Sequence, residues 1–238
     1  MKNKPIALTM GEPSGIATEI AIKSWLNRKK FNLPNFFLLD DFKKVDFINK
    51  KFALKAKLLK ISSPDQVDKY FNDYLPILDM EINIKFTLGK PNYKNSEYVL
   101  KSINNSYDLF KNGYLSGIIT LPVCKRSLKK YGFNYCGQTE YLSSLVSKNS
   151  SKEIKEIMIL STTKPEDRGV NLIVGLITTH VPLKECLNKV NKKLIEEKIK
   201  IFHKTLKELW KLKHPRIAIA SINPHAGEGG LIGKEENL

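Results

Sequence analysis

His180 and His225 each lie in a polar turn that begins where a short apolar run ends. The apolar runs, 172–177 and 217–222, have the length and composition that predict buried β-strands. Loops at the carboxyl ends of strands can converge although they are far apart in sequence. Because imidazole is a common ligand for zinc and similar ions, the two histidines are candidates to bind one metal ion. The alternative is two surface or capping histidines, since two ligands do not complete a metal site.

The turn that contains His225 reads NPHAGEGG and is rich in glycine. Glycine permits backbone conformations and close contacts that a side chain would block. The segment 227–230 therefore predicts a loop that closely approaches a substrate or cofactor. His203 and His214 lack such a context and are interpreted as structural or solvent-facing residues.

Three other polar segments contain residues with a possible chemical role. Residues 11–15 read GEPSG, which lacks the spacing of a dinucleotide fingerprint and is too short for a P-loop. They predict a tight strand-to-helix turn, whose free N–H groups either meet an anion or have no ligand. Residues 137–140 read GQTE. Taken alone, this segment is explained equally well by a helix N-terminus capped by Thr139 and by a ligand contact. In the third segment, TLPVCK, the lone thiol of Cys124 is more typical of a small packed side chain than of a nucleophile.

Short apolar runs alternate with amphipathic segments along the chain, which is typical of α/β proteins. The segment 62–93 is predicted to be irregular, and the strands predicted at 154–160 and 172–177 are expected to form a hairpin around the polar turn 164–169. Further strands are predicted at 5–10, 36–39, 55–61, 117–121, 154–160 and 172–177, and helices at 16–25, 96–111, 139–146 and, in two parts, 183–212.

The composition excludes several classes of protein. The chain has 238 residues, 42% of them hydrophobic, which is sufficient for one large or two small domains. No apolar stretch is long enough to cross a bilayer or to serve as a signal peptide, so a cytoplasmic location without membrane contact is expected. Three cysteines without a CxxC pair argue against a disulfide framework. The net charge of +16 comes mainly from scattered lysines, which predicts a basic surface that attracts anionic substrates rather than nucleic acid.

Five segments, in this order, resemble the 4-hydroxythreonine-4-phosphate dehydrogenase family of pyridoxal phosphate biosynthesis: TMGEPSGI, TLPVCK, GQTEYL, TTHVPL and NPHAGEGG. The resemblance runs from about Ile6 to the last residue, as one family region over 1–238 in which the internal domain boundary is left open. It implies two α/β domains with a cleft between them, as in the isocitrate and isopropylmalate dehydrogenases. It also implies a homodimer with the active site at the dimer interface.

The resemblance further implies a reaction and a set of site residues. The family oxidises the secondary alcohol of 4-phosphohydroxy-L-threonine with NAD or NADP, and the product loses carbon dioxide to give 3-amino-2-oxopropyl phosphate. A divalent metal (Zn, Mg or Co) bound to the substrate hydroxyl favours the alkoxide and stabilises the enolate. By carry-over of the motifs, His180 and His225 are metal ligands, and Gln138 and Thr139 contact the phosphorylated substrate.

Two departures from the family pattern bear on activity. The family has His where this chain has Gln138, and Gln cannot carry a proton or a positive charge. The family takes a third metal-binding His from a segment downstream of NPHAGEGG, whereas this chain ends at Leu238. A C-terminally truncated member with an incomplete fold is therefore expected. Two alternatives stay open, namely a dehydrogenase of a four-carbon sugar-acid 4-phosphate and a truncated, non-catalytic family member.

Overall fold

The computed structural model describes residues 4–148, 150, 154–162 and 172–237. It divides the chain into two compact units, 1–149 and 150–238. The first unit contains a five-stranded, wholly parallel sheet in the order β3-β4-β2-β1-β5. Its strands are β1 (Ile6–Thr9), β2 (Phe36–Asp40), β3 (Leu58–Ile61), β4 (Leu75–Asp79) and β5 (Gly117–Ile119). Its helices are α1 (Ala17–Leu26), α2 (Phe42–Lys51), α3 (Val67–Tyr70), α4 (Ser96–Lys111), α5 (Lys125–Tyr131) and α6 (Gln138–Lys148).

Strands β1 and β2 form the centre of this sheet and read as almost continuous apolar runs. Ile6 is in register with Phe36 on one side and with Gly117 on the other. Phe37 and Leu38 are completely buried, as expected for strands that are covered by helices on both faces. The predicted α/β class is confirmed by this parallel sheet.

Strand β4 lies inside the segment that was predicted to be irregular, so that prediction was wrong. Pro76 is the misleading residue, because a proline cannot donate a hydrogen bond to a neighbouring strand. The preceding N–H, of Leu75, points to β3 and donates to the carbonyl of Lys57 at 2.7 Å. The nitrogen of Pro76 therefore faces β2. Pairing between β4 and β2 begins only at the next residue, Ile77, which lies opposite Leu38. The missing N–H of Pro76 therefore removes no hydrogen bond from the sheet.

The second unit contains a two-stranded antiparallel sheet and two helices. Its elements are β6 (Met158–Ser161), β7 (Ile173–Leu176), α7 (Leu183–Lys189) and α8 (Lys192–Glu208). The predicted hairpin is confirmed, with Met158 opposite Leu176, and its turn 164–169 lies outside the described residues. The predicted helical region in two parts is confirmed by α7 and α8. None of the helices in the described ranges is long and apolar enough to cross a membrane.

The strand predicted at 217–222 is wrong, because this segment pairs with no strand among the described residues. The N–H groups of Ile222 and Asn223 instead donate to Glu236 Oε1 at 3.0 Å and 2.6 Å. An apolar run becomes a strand only where a neighbour accepts and donates its main-chain hydrogen bonds. Here most of the run is exposed, and residues 217–220 line one side of an apolar groove of about 660 Å³ with β7 and α8.

Candidate functional site

The strand order of the first unit reverses at β1, which has β2 on one side and β5 on the other. In open parallel sheets, ligands bind outside the carboxyl ends of the strands at such a point. The loop after β1 contains the GEPSG segment, and the loop after β5 contains the TLPVCK segment. The topology therefore places two of the segments singled out from the sequence at the position where a ligand is expected.

The two loops are in direct contact. The N–H of Glu12 donates to the carbonyl oxygen of Pro122 at 2.8 Å. A Cβ atom at Gly11 would lie 2.4 Å from that same oxygen and 2.4 Å from the Cβ of Ala17. Only glycine at position 11 therefore permits the turn after β1 to approach both the loop after β5 and helix α1.

Glu12 is the buried acidic residue of this turn. Its Oε1 accepts a hydrogen bond from the N–H of Ser14 at 3.1 Å. Burial raises the pKa of Glu12, whereas the hydrogen bonds with Ser14 and the charge of Lys44 act in the opposite direction. No role was predicted from the sequence for this carboxyl, and the available signal was an acidic residue three positions after the buried strand β1.

Gln138 and Thr139 are the first two residues of helix α6, and the side chain of Gln138 forms a hydrogen bond with the loop after β5. Its Nε2 donates to the carbonyl oxygen of Leu121 at 3.2 Å, and its side chain is half-buried. Thr139 is exposed. The GQTE segment therefore meets the TLPVCK segment, which in turn contacts GEPSG, so three of the five motif segments converge at one edge of the sheet.

Two buried polar atoms at the start of α6 have no hydrogen-bond partner among the described residues. They are Gln138 Oε1 and Glu140 Oε2. Both can accept a hydrogen bond, and an unsatisfied buried acceptor costs about 1–3 kcal/mol. Unsatisfied polar atoms are rare in folded proteins, and their grouping is typical of a site that binds a ligand.

A buried ion pair lies at the carboxyl end of the neighbouring strand β2. Lys44 Nζ is 2.8 Å from Asp40 Oδ2 and 2.6 Å from Thr18 Oγ1, and the side chains of the pair are almost completely inaccessible. Burial raises the pKa of Asp40, and the ammonium group of Lys44 opposes this effect. Because its carboxylate is enclosed by Lys44, Asp40 has a structural role here.

The predicted metal ligands, His180 and His225, both belong to the second unit, and both are exposed. His180 lies in the loop between β7 and α7, in the left-handed region with a φ of 54°. In the same loop, Thr178 Oγ1 lies 3.2 Å from the sulfur of Cys186, which packs the loop against α7. The structure thus confirms that His180 follows a strand, β7, whereas the described segment 217–222 directly before the NPHAGEGG loop is not a strand.

The NPHAGEGG loop has an unusual backbone, in which five consecutive residues, 225–229, have φ between 46° and 76°. A left-handed conformation is strained for the three that are not glycine, His225, Ala226 and Glu228. A Cβ atom at Gly227 would lie 2.7 Å from the carbonyl oxygen of Gly233. The close approach at Gly227 is therefore to this chain's own backbone, whereas the space beside Gly229 is open.

The chemistry of the two histidines suits a divalent cation, but their number does not complete a site. Neutral imidazole is a good ligand for Zn²⁺, and a catalytic zinc site usually has three protein ligands. No group of three or more His, Cys, Asp or Glu side chains with metal-binding geometry occurs among the residues that the structure describes. His180 and His225 are therefore two candidate ligands of a metal site that requires further ligands.

Residues 38–238 match the sequence model of the pyridoxal phosphate biosynthetic protein PdxA. The 4-hydroxythreonine-4-phosphate dehydrogenase of Zymomonas mobilis is 31% identical over 233 residues, and that of Methylorubrum extorquens is 32% identical over 237 residues. Both alignments cover 98% of this chain but only 65% of the relative. This chain therefore spans about two thirds of the length of these relatives.

A solved structure supports the same relationship. The crystal structure of 4-hydroxythreonine-4-phosphate dehydrogenase from Klebsiella pneumoniae matches with a TM-score of 0.79 at 28% identity, and the match covers 99% of this chain and 69% of that one. The sequence relatives, the solved structure and the converging motif segments agree with one another. The chain belongs to the PdxA family of pyridoxal phosphate biosynthetic proteins.

Proposed function

We propose that this protein acts as an NAD(P)-dependent 4-hydroxythreonine-4-phosphate dehydrogenase in pyridoxal phosphate biosynthesis. The observation that carries the proposal is its family membership, because the relatives matched over 98% of the chain have this name. The substrate is then 4-phosphohydroxy-L-threonine. Its secondary alcohol transfers a hydride to the nicotinamide, and the resulting β-keto acid loses carbon dioxide to give 3-amino-2-oxopropyl phosphate.

The proposed substrate contacts are Gln138 and Thr139. Their support is local, because both residues open α6 at the edge where the loops after β1 and β5 meet, next to unsatisfied polar atoms. The hydroxyl of the exposed Thr139 is available to a ligand. The basic composition of the chain favours an anionic phosphate ester over a neutral ligand.

Four further features belong to the same proposal. His180 and His225 contribute two ligands to a divalent ion (Zn, Mg or Co), and NAD or NADP is the hydride acceptor. The protein is a homodimer with its active site at the interface, and it works in the cytoplasm. A cleft between two domains stays a prediction. The support for each of these features is the family relationship.

A second candidate substrate is a four-carbon sugar-acid 4-phosphate. Gln138 favours this candidate, because it replaces the family's His at a proposed substrate contact and differs from it in charge and in proton transfer. Both candidate substrates have a secondary alcohol and a terminal phosphate, so one assay distinguishes them.

The test is a side-by-side assay of NADH or NADPH formation with both substrates, with added Zn²⁺, Mg²⁺ or Co²⁺ and with a chelator. We expect turnover of 4-phosphohydroxy-L-threonine that depends on the metal ion. The variants His180→Ala and His225→Ala should weaken metal binding in calorimetry at least tenfold, since each removes one ligand. His203→Ala is the matched control, because His203 is an exposed histidine on α8 and should leave metal affinity unchanged.

Each outcome bears on a different part of the proposal. Turnover of only the sugar-acid phosphate would replace the first substrate by the second. No turnover of either substrate would contradict the proposed dehydrogenase activity. Equal metal affinity of the His180→Ala, His225→Ala and His203→Ala variants would refute the assignment of the metal ligands.

A further inference from the structure

We propose that Gln138 accepts a hydrogen bond from a hydroxyl or ammonium group of the substrate and thereby selects ligands that present a donor at this position. This inference rests on the proposed function, because it requires a substrate at the start of α6. It concerns the chemistry that this chain acquires by having Gln at position 138, where the family resemblance implies His.

The neighbouring backbone determines the orientation of the Gln138 amide. The oxygen and nitrogen of an amide are similar in shape, so the hydrogen-bonding partners decide which atom points where. The carbonyl oxygen of Leu121, 3.2 Å from Nε2, can only accept. A reversed amide would place two oxygens against each other, and Oε1 therefore lies on the side away from Leu121 as an acceptor.

That acceptor has no hydrogen-bond partner in the described part of the chain. A buried acceptor without a donor is unfavourable, so a ligand that supplies a donor gains affinity by satisfying it. The side chain as a whole is half-buried, and the terminal torsion of Gln has a broad minimum. In the proposed complex, a small rotation about this torsion presents Oε1 to the ligand.

The surrounding polar atoms determine which ligand groups fit. Phosphate and carboxylate oxygens of an ionised substrate accept hydrogen bonds, and two acceptors repel each other. Glu140 Oε2, in the same first turn of α6, is a second buried acceptor without a partner. A hydroxyl or an ammonium group is the complementary chemistry, and 4-phosphohydroxy-L-threonine carries both.

A histidine at this position would behave differently. With one ring N–H bonded to Leu121, the other ring nitrogen accepts when the imidazole is neutral and donates when it is protonated. Histidine can therefore meet either a donor or an anionic group, depending on its protonation. Gln138 keeps only the first of these options.

The test measures the affinity of three ligands by calorimetry for the wild-type chain and for Gln138→Met, which keeps the length of the side chain but removes the acceptor. The ligands are 4-phosphohydroxy-L-threonine, O-phospho-L-homoserine, which lacks the hydroxyl, and 3-hydroxy-4-phosphonooxybutanoate, which lacks the amino group. Gln66→Met is the matched control, since Gln66 accepts a bond from the N–H of Ser62 in the turn before α3. Circular dichroism verifies that each variant is folded.

For the complete substrate, we expect Gln138→Met to lower the affinity about tenfold and Gln66→Met to leave it unchanged. The analogue that lacks the group bound by Gln138 should lose no further affinity in the Gln138→Met variant, because the interaction is already absent. That analogue identifies whether the hydroxyl or the ammonium group is the donor. An equal loss for all three ligands, or no loss for the complete substrate, overturns the inference while the proposed function stands. No binding of any ligand by the wild-type chain overturns both.

Gln138→His provides a second test in a variant that retains the bond to Leu121. Above the ordinary imidazole pKa of about 6.5 the ring nitrogen accepts a hydrogen bond, so the affinity of the variant for the complete substrate should be close to that of the wild type. Below that pH the ring donates, and its affinity relative to the wild type at the same pH should fall. A ratio that does not change between pH 8 and pH 5.5 contradicts the acceptor role.

Discussion

In the first unit, an extensive set of apolar side chains is buried around the parallel sheet, among them Phe37, Leu38, Ile77 and Ile103, which are completely inaccessible. Phe202 and Leu206 are the buried large apolar side chains among the described residues of the second unit. In that unit Leu160, Leu172 and Ile219 are more than half exposed. The same chain thus contains one region with a closed core and one in which much apolar surface faces solvent.

The difference follows from the number of strands. A five-stranded parallel sheet with helices on both faces encloses its own apolar residues. A two-stranded sheet has little stability by itself and needs further strands or helices to cover its faces. We therefore expect buried polar interactions to be strong in the first unit and the second unit to open more readily.

The largest effect is expected from the variant Lys44→Met, because it leaves the carboxylate of Asp40 buried without a cation. We expect a loss of about 3–5 kcal/mol in the free energy of unfolding, measured by urea denaturation. Lys50→Met is the matched control, since Lys50 forms an exposed ion pair with Asp46 on the same helix and should change stability by less than about 1 kcal/mol. Equal losses in the two variants would contradict the special role of the buried pair.

An intermediate effect is expected for the difference in stability between the two units, and the two tryptophans allow this difference to be measured. Trp25 is buried in the first unit and donates to the carbonyl of Phe71 at 2.9 Å, whereas Trp210 is more exposed and belongs to the second unit. In the variant Trp25→Phe only Trp210 contributes tryptophan fluorescence, and in Trp210→Phe only Trp25 does.

We expect the signal of Trp210 to change at a urea concentration about 1 M lower than that of Trp25, a difference of roughly 1–3 kcal/mol at the usual denaturant dependence. The physical reason is that local opening is easiest where few apolar contacts are buried. Coincident transitions for the two reporters would show that the chain unfolds as one cooperative structure, and the comparison between the units would then fail.

The smallest effect is expected at the NPHAGEGG loop. Hydrogen bonds from the side chain and N–H of Asn223 lower the pKa of Glu236. Stability from this contact is present above the ordinary carboxyl value of 4.5 and is lost as the pH falls through the lowered value in the folded chain. The N–H of Ile222 donates to Glu236 Oε1, so its signal in nuclear magnetic resonance should shift in acid in the wild type. In Glu236→Gln this shift should be absent, and a shift of the same size there would assign the transition to another group.

Local patterns predicted much of the first unit, because each element there agrees with its own sequence. The helix predicted at 96–111 matches α4, and the strand predicted at 36–39 matches β2 to within one residue. Strand β4 was missed because Pro76 opposes a strand locally. The proline is acceptable there because the pairing of β4 with β2 begins only at the next residue, Ile77.

The sequence also identified the segments of the candidate site, but not their contacts. GEPSG, TLPVCK and GQTE were recognised by residue type and order. Their convergence depends on the strand order, on the space beside Gly11 and on the backbone carbonyls of Leu121 and Pro122. Backbone carbonyls have no sequence signature, and so the partners of Gln138 and Glu12 were not predictable.

The sequence by itself determined the family, the α/β class and the residue types available for chemistry, because these depend on composition, periodicity and motif order. The tertiary structure decided which polar groups are paired. It enclosed Asp40 with Lys44, left Oε1 of Gln138 without a donor among the described residues, and left the apolar run at 217–222 outside a sheet. The physical reason is that a hydrogen bond or a strand requires a partner from a distant part of the chain, and only the fold determines whether that partner is within reach.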